Sequence, residues 1–190
     1  MRRFFAIFII MGLHYSLAAV AQEDSWVSVA TMPTARESVA ACTVNDRIYA
    51  VGGFPGGSDQ GITTNERFDP ASGTWSTMAP MLEGRRMPVT GVVNDRCYVI
   101  GGRITDGRTP QDDVQEYDPA TDSWRTRASM PTKRFAHAAA VIDGIIYVVG
   151  GTDGRTLFAT LEAYDPATDS WTTLSPMAIP RALHAAAASG

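Results

Sequence analysis

Short runs of apolar and small residues recur along the chain in sets, and each run is bounded by turn-forming residues. Val39 to Val44, Thr90 to Val93 and His137 to Ile142 are small or β-branched, and they are followed by Asn45-Asp46, Asn94-Asp95 and Asp143-Gly144. Those dipeptides suit two-residue hairpin turns, where both central residues take positive φ. A second run follows each turn, Ile48 to Val51, Cys97 to Ile100 and Ile145 to Val149, and stops at a glycine pair. A bare glycine pair allows a sharp departure from the strand and close approach of a neighbouring backbone. After a variable loop come Asn65 to Phe68, Val114 to Tyr117 and Leu161 to Tyr164, then Asp-Pro, a polar turn and a strand that holds a tryptophan. Proline cannot donate to a β-ladder, so it punctuates these strands rather than interrupting them. The pattern predicts an all-β chain of four-stranded antiparallel meanders.

The meanders repeat with a fixed beat. Gly52-Gly53, Gly101-Gly102 and Gly150-Gly151 stand 49 residues apart. Trp26, Trp75, Trp124 and Trp171 are spaced 49, 49 and 47, and Asp69-Pro70, Asp118-Pro119 and Asp165-Pro166 are spaced 49 and 47. Arg36, Arg85, Arg134 and Arg181 keep the same interval. A lone meander cannot cover both of its faces, whereas radial stacking buries side chains between blades about 10 Å apart. Inner strands crowd the axis and should be small, which Ala40, Ala41, Gly91, Ala138, Ala139 and Ala140 satisfy. Outer strands have room for Trp75, Trp124 and Trp171, read as packing groups rather than ligand platforms.

Arg134, then Ile146-Tyr147-Val148-Val149-Gly150-Gly151, then Leu161-Glu162-Ala163-Tyr164-Asp165-Pro166, then Trp171, resembles a kelch repeat almost position by position. The copies Ile48-Tyr49-Ala50-Val51-Gly52-Gly53 with Glu66-Arg67-Phe68-Asp69-Pro70, and Tyr98-Val99-Ile100-Gly101-Gly102 with Glu116-Tyr117-Asp118-Pro119, resemble it too. The resemblance implies a partial kelch β-propeller: three four-stranded antiparallel blades at 36–84, 85–133 and 134–180, an N-terminal outer strand of an incomplete blade at 22–35, and the start of a further blade at 181–190. Propellers close with about four to eight blades. Arg181 would reach its glycine pair at 197, past Gly190, so the chain is expected to be a piece of a longer reading frame. Two chains forming a six-bladed ring is the competing expectation. An open arc also predicts self-association through unpaired blade edges.

Residues 1–21 are read as a cleaved secretory signal: Arg2-Arg3, an apolar run from Phe4 to Leu13, and Ala19-Val20-Ala21 at the cleavage site. His14, Tyr15 and Ser16 interrupt the run well short of the ~20 residues of a spanning helix, so no membrane association is expected after cleavage. Cleavage removes two arginines and no acid, leaving 14 Lys plus Arg against 20 Asp plus Glu. An acidic secreted or periplasmic domain is not expected to bind nucleic acid. With 45% hydrophobic residues the chain is too apolar for disorder, and two cysteines are too few for a disulfide scaffold. Cys42 and Cys97 fall at non-equivalent repeat positions and are read as buried free thiols, with a bridge as the alternative that secretion permits.

Catalytic patterns are lacking: no zinc spacing, phosphate-cradling glycine loop or nucleophile elbow occurs, and no metal or cofactor is expected. The Tyr, His and Cys set of the kelch-like galactose oxidases has no counterpart. His137 and His184, each three residues after a repeat arginine, are read as structural. The turns before the inner strands and the loops after the glycine pairs open at one end of the channel, a variable surface on a rigid frame. That loop face nominates Arg86, Arg103, Arg108, Arg134, Arg155, Glu37, Phe54, Asp59, Asp112 and Asp113 as ligand-binding residues. Planar guanidinium groups suit a carboxylate, hence a protein or acidic glycan as partner. The period-matched Arg36, Arg85, Arg134 and Arg181 have a structural alternative, pairing with Glu66, Glu116 and Glu162 or with backbone carbonyls. The expected function is a secreted kelch-repeat binding module. The alternatives are a carbohydrate-active enzyme resembling the kelch sialic acid mutarotases, with Glu37, Asp59, Asp112 and Asp113 as its carboxylates, and a fragment without independent function.

Overall fold

A computed structural model describes residues 26–58, 60–104 and 109–188. Twelve strands and no helix occur among them. The first sheet holds β1 (Ala40–Val44), β2 (Arg47–Val51), β3 (Asn65–Asp69) and β4 (Thr74–Thr77). The second holds β5 (Val89–Val93), β6 (Arg96–Ile100), β7 (Val114–Asp118) and β8 (Ser123–Arg127). The third holds β9 (Ala138–Ile142), β10 (Ile145–Val149), β11 (Leu161–Asp165) and β12 (Ser170–Leu174). Strands pair in sequence order within each sheet, so each is an antiparallel meander without crossovers. The three meanders are partial propeller blades.

Local chemistry accounts for the hairpins. Asn45 and Asp46 take φ of 49° and 58°, Asn94 and Asp95 repeat those values, and Asp143-Gly144 takes 50° and 77°. Pairing of Val44 with Arg47, Val93 with Arg96 and Ile142 with Ile145 then fixes the register. At the other end of β2, β6 and β10 the second glycine of each pair turns its amide to the next repeat arginine. Gly53, Gly102 and Gly151 donate to the carbonyls of Arg85, Arg134 and Arg181 at 2.7, 3.0 and 2.8 Å. A Cβ at Gly102, which has φ of +96°, would stand 2.8 Å from the Arg86 carbonyl oxygen.

Two apolar layers lie between the blades. The first joins Cys42, Val44, Tyr49, Val51 and Met81 to Cys97, Val99 and Tyr117, and the second joins Tyr98, Ile100, Val114 and Met130 to Ile146, Val148 and Tyr164. Trp75, Trp124 and Trp171 pack on Phe68, Tyr117 and Tyr164 at 5.1, 4.9 and 5.0 Å between ring centroids. Each indole also donates across to the preceding segment, at the carbonyls of Ala30, Ala79 and Ala128. The tryptophans are thus packing groups with a hydrogen-bonding role between blades.

Two expectations need correcting. Cys42 and Cys97 form a disulfide, with Cα atoms 6.3 Å apart. Their positions differ within the repeat, but one lies on the inner strand of the first blade and the other on the facing side of the second, so unequal positions meet across the junction. Residues 26–36 form no strand: Trp26 is fully exposed, and the segment lies along the first blade through the Ala30 carbonyl and Thr34, whose hydroxyl donates to Glu66. No third strand stands beside it among the described residues, so a ladder has nothing to pair with. Residues 181–188 likewise form no strand, yet Leu183 repeats the positive φ of Ser38, Met87 and Ala136 and donates to the Ala136 carbonyl. The expected signal at 1–21 lies outside the described residues, and no helix among those described is long and apolar enough to cross a membrane.

Candidate functional site at the loop face

Two positions at fixed offsets build the mouth of the arc: the residue after each repeat arginine and the residue after each glycine pair. They meet as isolated bridges, Glu37 with Phe54, Arg86 with Arg103 and Phe135 with Thr152. Across the first blade junction the Arg86 guanidinium lies 3.8 Å above the centre of the Phe54 ring, and across the second Arg103 lies 4.0 Å above Phe135. Such contacts contribute about 0.5–2 kcal/mol each and restrain where the guanidinium sits over the ring. The row Phe54–Arg86–Arg103–Phe135 therefore restrains the position of both cations.

Beside this row opens a cleft of about 590 Å³ lined by Arg103, Thr109, Pro110, Asp153, Gly154 and Arg155. Its walls are Arg103, Thr109 and Pro110 after the second glycine pair and Asp153 to Arg155 after the third. The second wall is tied internally: Asp153 Oδ1 accepts from the amides of Arg155 and Thr156 at 2.8 and 2.7 Å, and Thr152 Oγ1 donates to the Thr156 carbonyl at 2.6 Å. Bonds from the Thr156 and Arg155 amides hold the Asp153 carboxyl below the usual carboxylate range. Asp153 thus caps its own loop, which presents the exposed Arg155. The opposite wall is fixed by Gln111, whose amide donates to Gly102 and whose carbonyl accepts from Arg134.

The nominated residues divide accordingly. Arg103 and Arg155 share the cleft, Arg86 and Phe54 form the adjoining stack, and Glu37 is exposed beside Phe54. Arg134 does not reach the mouth. Its side chain is 0% exposed, donates to the carbonyls of Val148, Gly150 and Thr160, and pairs with Glu162 at 2.8 Å. Arg36 pairs with Glu66 in the same manner at 3.0 Å. The expected third pair, Arg85 with Glu116, does not form. Counted from Asp-Pro, Glu116 stands one residue nearer than Glu66 and Glu162, and one residue in a strand reverses the sheet face. Glu116 is buried against Arg96 at 3.0 Å, Arg125 at 2.6 Å and Arg127. Burial alone would raise its pKa, but the bonds from Arg125 and Arg127 keep it below the ordinary value.

Asp113 is engaged by Arg85 at 2.5 Å, and Asp112 lies 3.9 Å from the Lys133 amine. Asp59 and Arg108 fall outside the described residues. Phe135, Thr109 and Asp153 are not among the ligand-binding residues nominated from the sequence. Phe135 was findable, because it follows a repeat arginine as Glu37 and Arg86 do. His137 and His184 line adjoining axial cavities of about 340 and 270 Å³ below the mouth. His137 is buried against Gly101, and burial first, then the Arg134 charge, lowers its pKa to about 3, in keeping with a neutral packing group. Among the described residues no cluster of three His, Cys, Asp or Glu could hold a metal ion.

Comparison with known proteins identifies the fold and the family. No curated protein matches the chain. Among solved structures it is similar to the one titled "Structure of YjhT", with a TM-score of 0.76 and 17% identity over 86% of this chain and 59% of that one, so it spans less than two thirds of that protein. A family model described as the KLHDC2/KLHL20/DRC7 Kelch-repeats domain matches residues 21–190. Given that match over the repeats, the glycine-pair stitching and the blade packing, the chain belongs to the Kelch-repeat domain family.

Proposed function

We propose that this Kelch-repeat chain is an exported binding module whose loop-face cleft takes a carboxylate-bearing ligand, on an acidic glycan or an acidic polypeptide. The observation that carries the reading is the convergence of Arg103 and Arg155, from two blades, on one cleft with Thr109 as a hydroxyl neighbour. Contact with Phe135 restrains the Arg103 guanidinium, and a restrained guanidinium loses less freedom when it grips a carboxylate in two parallel bonds. Export is supported by the Cys42–Cys97 bridge, since disulfides persist in oxidising compartments, together with the signal-like pattern at 1–21. Hydrolysis or isomerisation would need an acid and a base at the mouth. Asp113, one of the carboxylates such an enzyme would use, is held by Arg85 instead.

Calorimetric titration with an oligogalacturonate and with a hexaglutamate peptide tests the reading. One of the two should bind, and Arg155→Ala and Arg103→Ala should each weaken it about tenfold, as expected when a charge-assisted pair is lost. Equal affinity in the parent and both variants, or turnover of the sugar, would sink the binding reading.

A further inference from the structure

In a repeat, equivalent positions solve the same packing problem, so the blade that solves it differently answers to another constraint. The first and third blades neutralise their arginines with a strand glutamate, Arg36 with Glu66 and Arg134 with Glu162. In the second blade that strand position is Gln115, which carries no charge. Arg85, 1% exposed, turns to Asp113 at 2.5 Å and to Glu83 at 2.9 Å. Gln115 completes the arrangement. Its Nε2 donates to Asp113 Oδ2 at 3.2 Å and to the Glu83 carbonyl at 3.1 Å, and its Oε1 accepts from the Leu82 and Glu83 amides. The counter-charge has moved from the strand into the last residue of the loop that forms one wall of the cleft.

That loop is tied both to the start of the third blade and to other segments of its own blade. The Arg134 amide donates to the Gln111 carbonyl, the Met130 amide to the Asp112 carbonyl and the Gly101 amide to the Asp113 carbonyl. Anchoring Asp113 to a buried arginine therefore sets where Thr109 and Pro110 stand opposite Arg155. We infer that Asp113, gripped by Arg85 and Gln115, is a positioning residue that holds the 109–113 loop and with it the width of the binding cleft. The inference rests on the proposed site, and it assigns Asp113 a role other than contact with the ligand.

The test compares Asp113→Asn, Gln115→Glu and the double variant, the last of which gives Arg85 a strand carboxylate as in the other two blades. Hydrogen exchange at the amides of Gly101, Gln111, Met130 and Arg134 reads the loop directly, and calorimetry with the oligogalacturonate and the hexaglutamate peptide reads the site. Asp113→Asn should speed exchange at those amides about tenfold or more, lower the Tm and weaken binding about threefold to tenfold. The double variant should recover the Tm while the loop stays fast and binding stays weak. Recovery of slow exchange in the double variant would overturn the inference, because Asp113 would then serve only to neutralise Arg85. So would unchanged exchange in Asp113→Asn. The exchange readout decides this even if neither probe binds the parent, an outcome that would count against the site alone.

Discussion

The buried charge of Arg134 is tolerated because a counter-charge and backbone oxygens surround it. Arg134 has a carboxylate and three carbonyls around a side chain that water does not reach. Removing one partner of a buried pair leaves the other unpaired, which costs about 3–5 kcal/mol. Glu162→Gln should therefore lower stability by about that amount in urea unfolding, whereas Arg155→Ala, at an exposed loop tip, should change it by under about 0.5 kcal/mol. His137 adds a pH dependence. Its pKa in the fold is lowered to about 3, against an ordinary value of 6.5, so the unfolded chain takes up the proton first as pH falls. The stabilising contribution of the neutral ring is complete above about pH 6.5 and is lost between there and about pH 3, at about 1.4 kcal/mol per pH unit. Unfolding midpoints measured across that range should fall less steeply in His137→Phe than in the parent.

Among the elements, strands and hairpins were legible because their chemistry is local. Asn-Asp and Asp-Gly turns dictate where β1, β5 and β9 reverse, and Asp-Pro dictates where β3, β7 and β11 stop. What was not legible depends on which side chains face each other across a junction. Cys42 and Cys97 are 55 residues apart and unequal within the repeat, so only the stacking of one blade on the next brings them together. The slip of Glu116 was present in the sequence, one residue closer to Asp-Pro, but its consequence appears only when strand alternation is applied to each copy separately. The disulfide clamps the first blade to the second across the same junction as the Phe54–Arg86 stack. Loop-closure entropy for that separation gives about 4 kcal/mol, and measured values for native bridges cluster near 2–4. A Cys42→Ser/Cys97→Ser variant should lose stability in that range by calorimetry. No loss would show that the inter-blade packing alone holds the junction.

For the whole molecule, the arc has two unlike ends. One carries the hairpins at Asn45-Asp46, Asn94-Asp95 and Asp143-Gly144, and the other the glycine-pair loops and the cleft. The two ends of the meander set the contrast: Ala40 pairs with Val51 beside the glycine pair, and Val44 with Arg47 at the hairpin. The loop face as a region followed from that alternation, but the composition of the cleft did not. Which arginine is buried and which exposed depends on the counter-charge each blade supplies, as Arg134 and Arg155 show. The most direct measurement is amide chemical-shift mapping while an acidic oligosaccharide or peptide is titrated into the labelled protein. Shifts should cluster at Arg103, Thr109 and Asp153 to Arg155. A response confined to the hairpin end, or spread along the axial lining at His137 and His184, would contradict the account.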